Sequence, residues 1–149
     1  MTEHLRPPAQ LRHLVSWQAG RLAVLGARAT SRHMALEARS DFAVLASLDE
    51  YGPLSQADLG RALGLDRNNV NGIVTRLETD ALVDRAPDPD DRRRNVVSAT
   101  DTGRARLAEL QQHAASVQRE LLAALSPAEQ HRLVALLDTV LASHPAQPA

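Results

Sequence analysis

Apolar residues recur along most of this chain at steps of three and four, the spacing of helices that bury one face. Leu11, Leu14, Val15, Leu22, Leu25 and Ala29 predict one long helix from Ala9 to about Arg32. A short connection, Met34 to Arg39, leads to a second helix from Asp41 to about Glu50, capped by Ser40 or Asp41 and stopped by Gly52-Pro53. Leu59 and Leu63 mark a short helix after Ser55, and Val70, Ile73, Val74 and Leu77 mark another that runs out near Asp80. Further on, Leu107, Leu110, Ala114, Val117, Leu121 and Leu122 predict a helix from Asp101 to Ala124, and Leu133, Leu136, Leu137, Val140 and Leu141 a last one to about Ser143. The pattern changes only at Leu54, Leu82 to Arg85 and Asn95 to Ala99, where short strands are expected. The fold class is therefore mainly α with a small β-wing.

Turn residues give the middle of this pattern its meaning. Ser55 is placed as an N-cap, with Asp58 three residues on as its capping-box partner. Gly64 supplies the positive φ of a tight turn, Leu65 fills the corner, and Asp66 caps the following helix. Two short helices about a glycine turn form a helix-turn-helix, which seats its second helix in the DNA major groove. That helix turns Arg67, Asn68, Asn69, Asn71, Thr75 and Arg76 away from its apolar stripe. Asparagine bonds adenine through two groups, and arginine does the same with guanine. Read without that context, Asn68 and Asn69 cap a helix start and the arginines form a solvated face.

The wing follows directly. Two strand candidates flank Ala86 to Arg94, APDPDDRRR, whose Arg92, Arg93 and Arg94 suit a minor groove or the phosphate backbone. Its Asp88, Asp90 and Asp91 would repel phosphate, so one of them is expected to pair with an arginine and hold the loop's shape. The plainer reading, a solvated charged hairpin, stays open at this point.

Composition narrows the alternatives. The 149 residues are enough for one domain with a helical extension. Aromatic residues are confined to Trp17, Phe42 and Tyr51, so the core is built from Leu, Val and Ala. The formal net charge of −1 means that any nucleic-acid binding comes from local clusters. Cysteine is absent, which removes disulfides, thiolate metal sites and thiol redox sensing. No apolar run suggests a membrane span or a signal peptide, so no membrane partner and a soluble, cytoplasmic protein are expected. The histidines are scattered, from His4 and His13 to His131 and His144, without metal-ligand spacing. No nucleophilic triad and no phosphate-cradling glycine loop is present, so neither an enzyme, a metal nor a cofactor is expected.

The wing then resembles that of the MarR family of bacterial transcription regulators, Asp-x-Arg-x-x-x-hydrophobic-x-hydrophobic-Thr. Here the matching residues are Asp91, Arg93, Val97, Ala99 and Thr100, followed by Gly103-Arg104. The stretch GPLSQADLGRALGLDR and the ending Arg76-Leu77-Glu78 are similar to the family as well, and the resemblance runs from Leu11 to Leu141. It implies a single domain over 1–149, with 9–33 and 101–143 as a helical dimerisation region and 41–100 as a winged helix-turn-helix. It implies a homodimer on a pseudo-palindromic double-stranded DNA operator, with Ser55 and Gln56 at the groove, Arg93 as the wing contact and Asp91 as a structural partner of arginine. The chain departs from its relatives at Asn68-Asn69-Val70-Asn71-Gly72, where Ser-Thr-Val-Thr is frequent, so no operator is borrowed from them. The resemblance also implies a small anionic or phenolic effector between the dimer helices and the winged helix. Trp17, Arg21, His33, Met34 and Phe42 are the candidate contacts, and a surface pair of His33 with Glu37 is the competing role for that histidine. The alternative function is a dimeric winged-helix module that binds another protein and not DNA.

Overall fold

A computed structural model describes residues 6–144. Most of the polar arm expected over Met1 to Pro8, His4 within it, and the expected PAQPA tail lie outside the described residues. The elements run α1 (Ala9–Arg12), α2 (Val15–His33), α3 (Leu36–Tyr51), β1 (Leu54–Ser55), α4 (Gln56–Leu63), α5 (Arg67–Thr79), β2 (Val83–Pro87), β3 (Asn95–Ala99), α6 (Asp101–Leu121) and α7 (Pro127–Ala142).

Three boundaries differ from the sequence pattern. The first long helix is broken, because Leu14 is extended (φ −89°, ψ 117°) and acts as the N-cap of α2. The Gln18 side chain spans the break and donates to the Arg12 carbonyl at 2.8 Å. The second helix begins at Leu36 and not at Asp41, so the connection shrinks to Met34 and Ala35. Its N-cap is Ala35, which offers no side-chain acceptor, and the acidic residue of its first turn is Glu37. Ser40 and Asp41 thus lie inside α3, where the Ser40 hydroxyl donates to the Glu37 carbonyl. At the other end of the chain α6 stops at Leu121, short of Ala124, and Ser126 then caps α7 in a reciprocal box with Glu129, with Pro127 opening the helix.

The three strands form one antiparallel sheet in the order β1-β3-β2. Leu54 faces Val97 on one side of β3, and Arg85 faces Val97 on the other. Because β2 is an edge strand, Pro87 ends it without leaving a ladder bond unmade.

One core lies beneath the winged helix. Leu45 and Val44 of α3, Leu59 of α4, Val70, Val74 and Leu77 of α5, Val83 and Val97 of the sheet and Leu110 of α6 are fully buried within it. Each such side chain contributes about 1.5–3 kcal/mol by leaving water. Gly103 lets α6 join this core, since a Cβ there would overlap the Leu82 carbonyl oxygen. In contrast, α7 has no buried residue, and Leu136, Leu137, Val140 and Leu141 are exposed along it.

Candidate nucleic-acid interface

The helix-turn-helix forms through local capping. The Ser55 hydroxyl accepts from the Asp58 amide at 3.1 Å and donates to the Asp58 carboxylate at 2.6 Å. Ser55 is therefore buried and spent on the start of α4, and the Asp58 side chain meets its hydroxyl where a full capping box would use its amide. Gly64 takes φ 65°, and the Leu65 amide returns to the Gly60 carbonyl at 2.9 Å. Gly60 is itself needed here, because a Cβ would come within 2.9 Å of the Leu65 carbonyl. Asp66 then caps α5 by accepting from the Asn69 amide at 2.9 Å.

Those turns set the outer face of α5. Arg67, Asn68, Asn69, Asn71 and Thr75 are all exposed. The Asn69 side chain bonds back to Asp66, the local capping role that its position also allowed. Arg76 departs from the expected orientation. It is half-buried, and its Nη1 donates to Asp41 Oδ1 of α3 at 2.5 Å, because the turn of helix that carries it faces α3 and not the outer face.

A groove of about 1400 Å³ runs between the helix-turn-helix and the wing. It brings together Ser55, Gln56, Arg67, Asn68, Asn71, Arg93 and Arg94, candidates that come from separate segments of the sequence. Asn69, Thr75, Arg76 and Arg92 are not among its walls. Arg61, Arg85 and Asn95 also line it and are not singled out by the sequence pattern. Arg61 is legible as the basic residue in the last turn of α4. Arg85 carries no such signal, for its place depends on how β2 lies against α5. Its Nη1 donates to Asn71 Oδ1 at 3.4 Å, its Nη2 donates to Thr75 Oγ1 at 3.0 Å, and it pairs with Glu78 at 3.3 Å. The Asn71 oxygen also accepts from Gln56 Nε2 at 3.3 Å.

The wing is shaped by its acids, in a way that shifts one expected role. Among the described residues, Asp91 does not pair with an arginine side chain. Its Oδ1 accepts the Arg93 amide at 3.0 Å and so turns the loop. Asp88 accepts the Asp90 amide at 2.9 Å and lies 3.9 Å from Arg94 Nε. Arg94 reaches Asp58 as well, at 3.6 Å, and thereby ties the wing to α4. The hydrogen bond from Ser55, and then Arg61 and Arg94, hold the Asp58 carboxyl below the usual aspartate range. Arg92 and Arg93 form no ion pair or side-chain hydrogen bond among the described residues, so their charge is open to an anion.

Of the expected effector contacts, Trp17 and Arg21 come together, and His33, Met34 and Phe42 do not join them. Trp17 and Arg21 stack on α2, with the guanidinium 5.2 Å from the ring centroid. They line a shallow apolar groove of about 490 Å³ with Gly20, Val24, Leu25 and Arg28. His33 pairs with Glu120 of α6 at 2.8 Å, and not with Glu37. Met34 is buried in the core, and Phe42 packs against it.

Comparison with known proteins places this geometry. The MarR family model matches residues 38–94, from within α3 to the end of the loop between β2 and β3. A solved structure of a probable transcriptional regulator from Pseudomonas aeruginosa is 34% identical over 87% of this chain and 98% of its own, with a TM-score of 0.67. The chain belongs to the MarR family. Among curated members, the transcriptional repressor NicR of Pseudomonas putida is 44% identical over 66 residues, which are 44% of this chain and 42% of that repressor. The chain thus spans less than half the length of that MarR-type relative. The Bordetella bronchiseptica regulator BpsR, solved in work on control of its DNA binding by 6-hydroxynicotinic acid, is 26% identical, with a TM-score of 0.73 over 90% of this chain and 97% of its own.

Proposed function

We propose that this MarR-family chain is a sequence-specific transcriptional regulator that acts as a repressor. In this reading it binds a pseudo-palindromic operator as a homodimer and is released by a small anionic or phenolic ligand. The observation that carries the reading is the groove between α5 and the wing, where Arg67, Asn68 and Asn71 stand beside the uncommitted Arg93. Donors suited to base edges beside cations suited to phosphates match the division of labour of DNA readers, which supports the reading. Dimerisation is supported by the exposed apolar residues of α7, which nothing among the described residues covers. Residues 9–33 and 101–143 would supply the dimer region and 41–100 the DNA-binding unit. Control by a ligand is supported by BpsR, whose DNA binding is described as regulated by 6-hydroxynicotinic acid, and by the Trp17–Arg21 groove, which offers an aromatic face beside a cation. Selection of bound fragments from sheared source DNA tests the reading. Recovery of one palindrome with half-sites about one helical turn apart supports it, and recovery without enrichment overturns it.

A further inference from the structure

The bonds around Asn71 restrict what that residue can read. Arginine has donors and no acceptor, so the Asn71 amide atom that faces Arg85 Nη1 is its oxygen. Gln56 Nε2 donates to the same oxygen from the opposite helix, at 3.3 Å. A carbonyl oxygen has two lone pairs, and both are engaged by the protein. The usual recognition of adenine by asparagine needs that oxygen, which must accept from the adenine N6 amino group while the side-chain nitrogen donates to N7. Here only the Nδ2 donors remain for a base. Guanine presents N7 and O6, two acceptors and no donor, on its major-groove edge.

We infer that Arg85 and Gln56 lock Asn71 as a donor-only reader, so that the operator carries guanine, and not adenine, where Asn71 meets it. Arg85 and Gln56 are positioning residues, and Asn71 is the specificity-determining one. Arg85 is suited to the task because it is anchored elsewhere. Its Nη2 is held by Thr75 Oγ1 at 3.0 Å and by Glu78 at 3.3 Å, with the side chain only 17% exposed. The three residues that it touches, Asn71, Thr75 and Glu78, follow one another down a single stripe of α5. The strand therefore fixes the orientation of the helix's reading face before DNA arrives, which lowers the ordering cost of binding.

This inference rests on the DNA-binding reading above, and the test separates the two. Randomised duplexes are selected with the full-length wild type, Asn71→Ala, Arg85→Met and Gln56→Ala. The expected result is a wild-type site with guanine at the position whose preference vanishes in Asn71→Ala. At that position, Arg85→Met and Gln56→Ala shift the choice toward adenine by on the order of tenfold, with the other positions unchanged. Should Arg85→Met fail to fold, Gln56→Ala carries the same comparison. Adenine at the Asn71-dependent position in the wild type overturns the inference, as does an unchanged guanine preference in the variants. So does the absence of any position that responds to Asn71→Ala. A wild type that enriches no sequence overturns the DNA-binding reading itself, and the inference with it.

Discussion

Arg76 Nη1 donates to Asp41 Oδ1 at 2.5 Å, and this bond ties α5, the second helix of the helix-turn-helix, to α3. The pair is asymmetric, for the Asp41 side chain is 9% exposed and that of Arg76 34%. Removal of the arginine strands a buried carboxylate, whereas removal of the aspartate leaves a cation that can turn to water. Arg76→Ala is therefore expected to destabilise more than Asp41→Ala. Breaking a fully buried pair costs about 3–5 kcal/mol, and the exposure of Arg76 brings the expected loss to about 2–3 kcal/mol. Urea unfolding of the two variants checks the order, and equal losses would contradict it.

Glycine substitutions should separate close approach from open helix. Gly103→Ala forces a Cβ into the Leu82 carbonyl, so α6 must shift off the sheet. The expected cost is about 3 kcal/mol, in the range of overpacked sites. Gly72 has open space around its α-carbon. Gly72→Ala is expected to raise the melting temperature, since alanine is favoured by about 0.5–1 kcal/mol inside a helix. Thermal melts followed by circular dichroism decide both.

Asp58 carries a pH dependence. Its carboxyl is held below the ordinary aspartate value, first by the Ser55 hydroxyl and then by Arg61 and Arg94. A lowered folded-state value means that its stabilisation is complete above the unfolded value and fades as the pH falls through the folded one. The destabilisation caused by Asp58→Asn should thus be constant between about pH 5 and 7 and shrink below about pH 4. Denaturant titrations of both proteins across that range provide the comparison, and a gap that widens in acid would contradict the assignment.

The exposed apolar side of α7 should hold the dimer together. Leu137 and Val140 lie three residues apart on it, 41% and 54% exposed. The double change Leu137→Glu and Val140→Glu is expected to give monomers in sedimentation velocity without loss of the fold, because neither side chain belongs to the core. A dimer that persists would place the interface elsewhere.

The helix-turn-helix is legible in the sequence because its determinants are local. Ser55, Gly64 and Asp66 each act within a few residues of their place in the chain, and Val70, Val74 and Leu77 mark the buried side by period alone. The start of α3 is not legible, since Ala35 opens it without a polar cap. Nor is the break at Leu14, which no proline or glycine announces. Within the interface, the capping role of Asp66 can be read directly. The inward turn of Arg76 cannot, as Asp41 lies 35 residues away. Arg85 escapes the sequence pattern for the same reason. Its partners on α5, Glu78, Thr75 and Asn71, lie well back along the chain, and they meet it only once β2 has folded against the helix.

The wing gives a charge-specific expectation. Arg93 has no intramolecular ion pair among the described residues, whereas Arg94 is held by Asp58 and Asp88. Arg93→Ala should weaken DNA binding across sequences and flatten the salt dependence by about 0.9 for each phosphate that is no longer neutralised. Stability should change by less than about 0.5 kcal/mol. Binding isotherms at several salt concentrations, with a parallel unfolding curve, distinguish weaker phosphate binding from a damaged fold.

The most direct measurement is a fluorescence anisotropy titration of the wild type against its selected duplex and a scrambled duplex of equal length, across a range of salt. A dimeric operator-binding regulator predicts a specific affinity at least about 1,000-fold above the scrambled one, with both falling steeply as salt rises. Equal affinities for the two duplexes, or no binding at low salt, would contradict it.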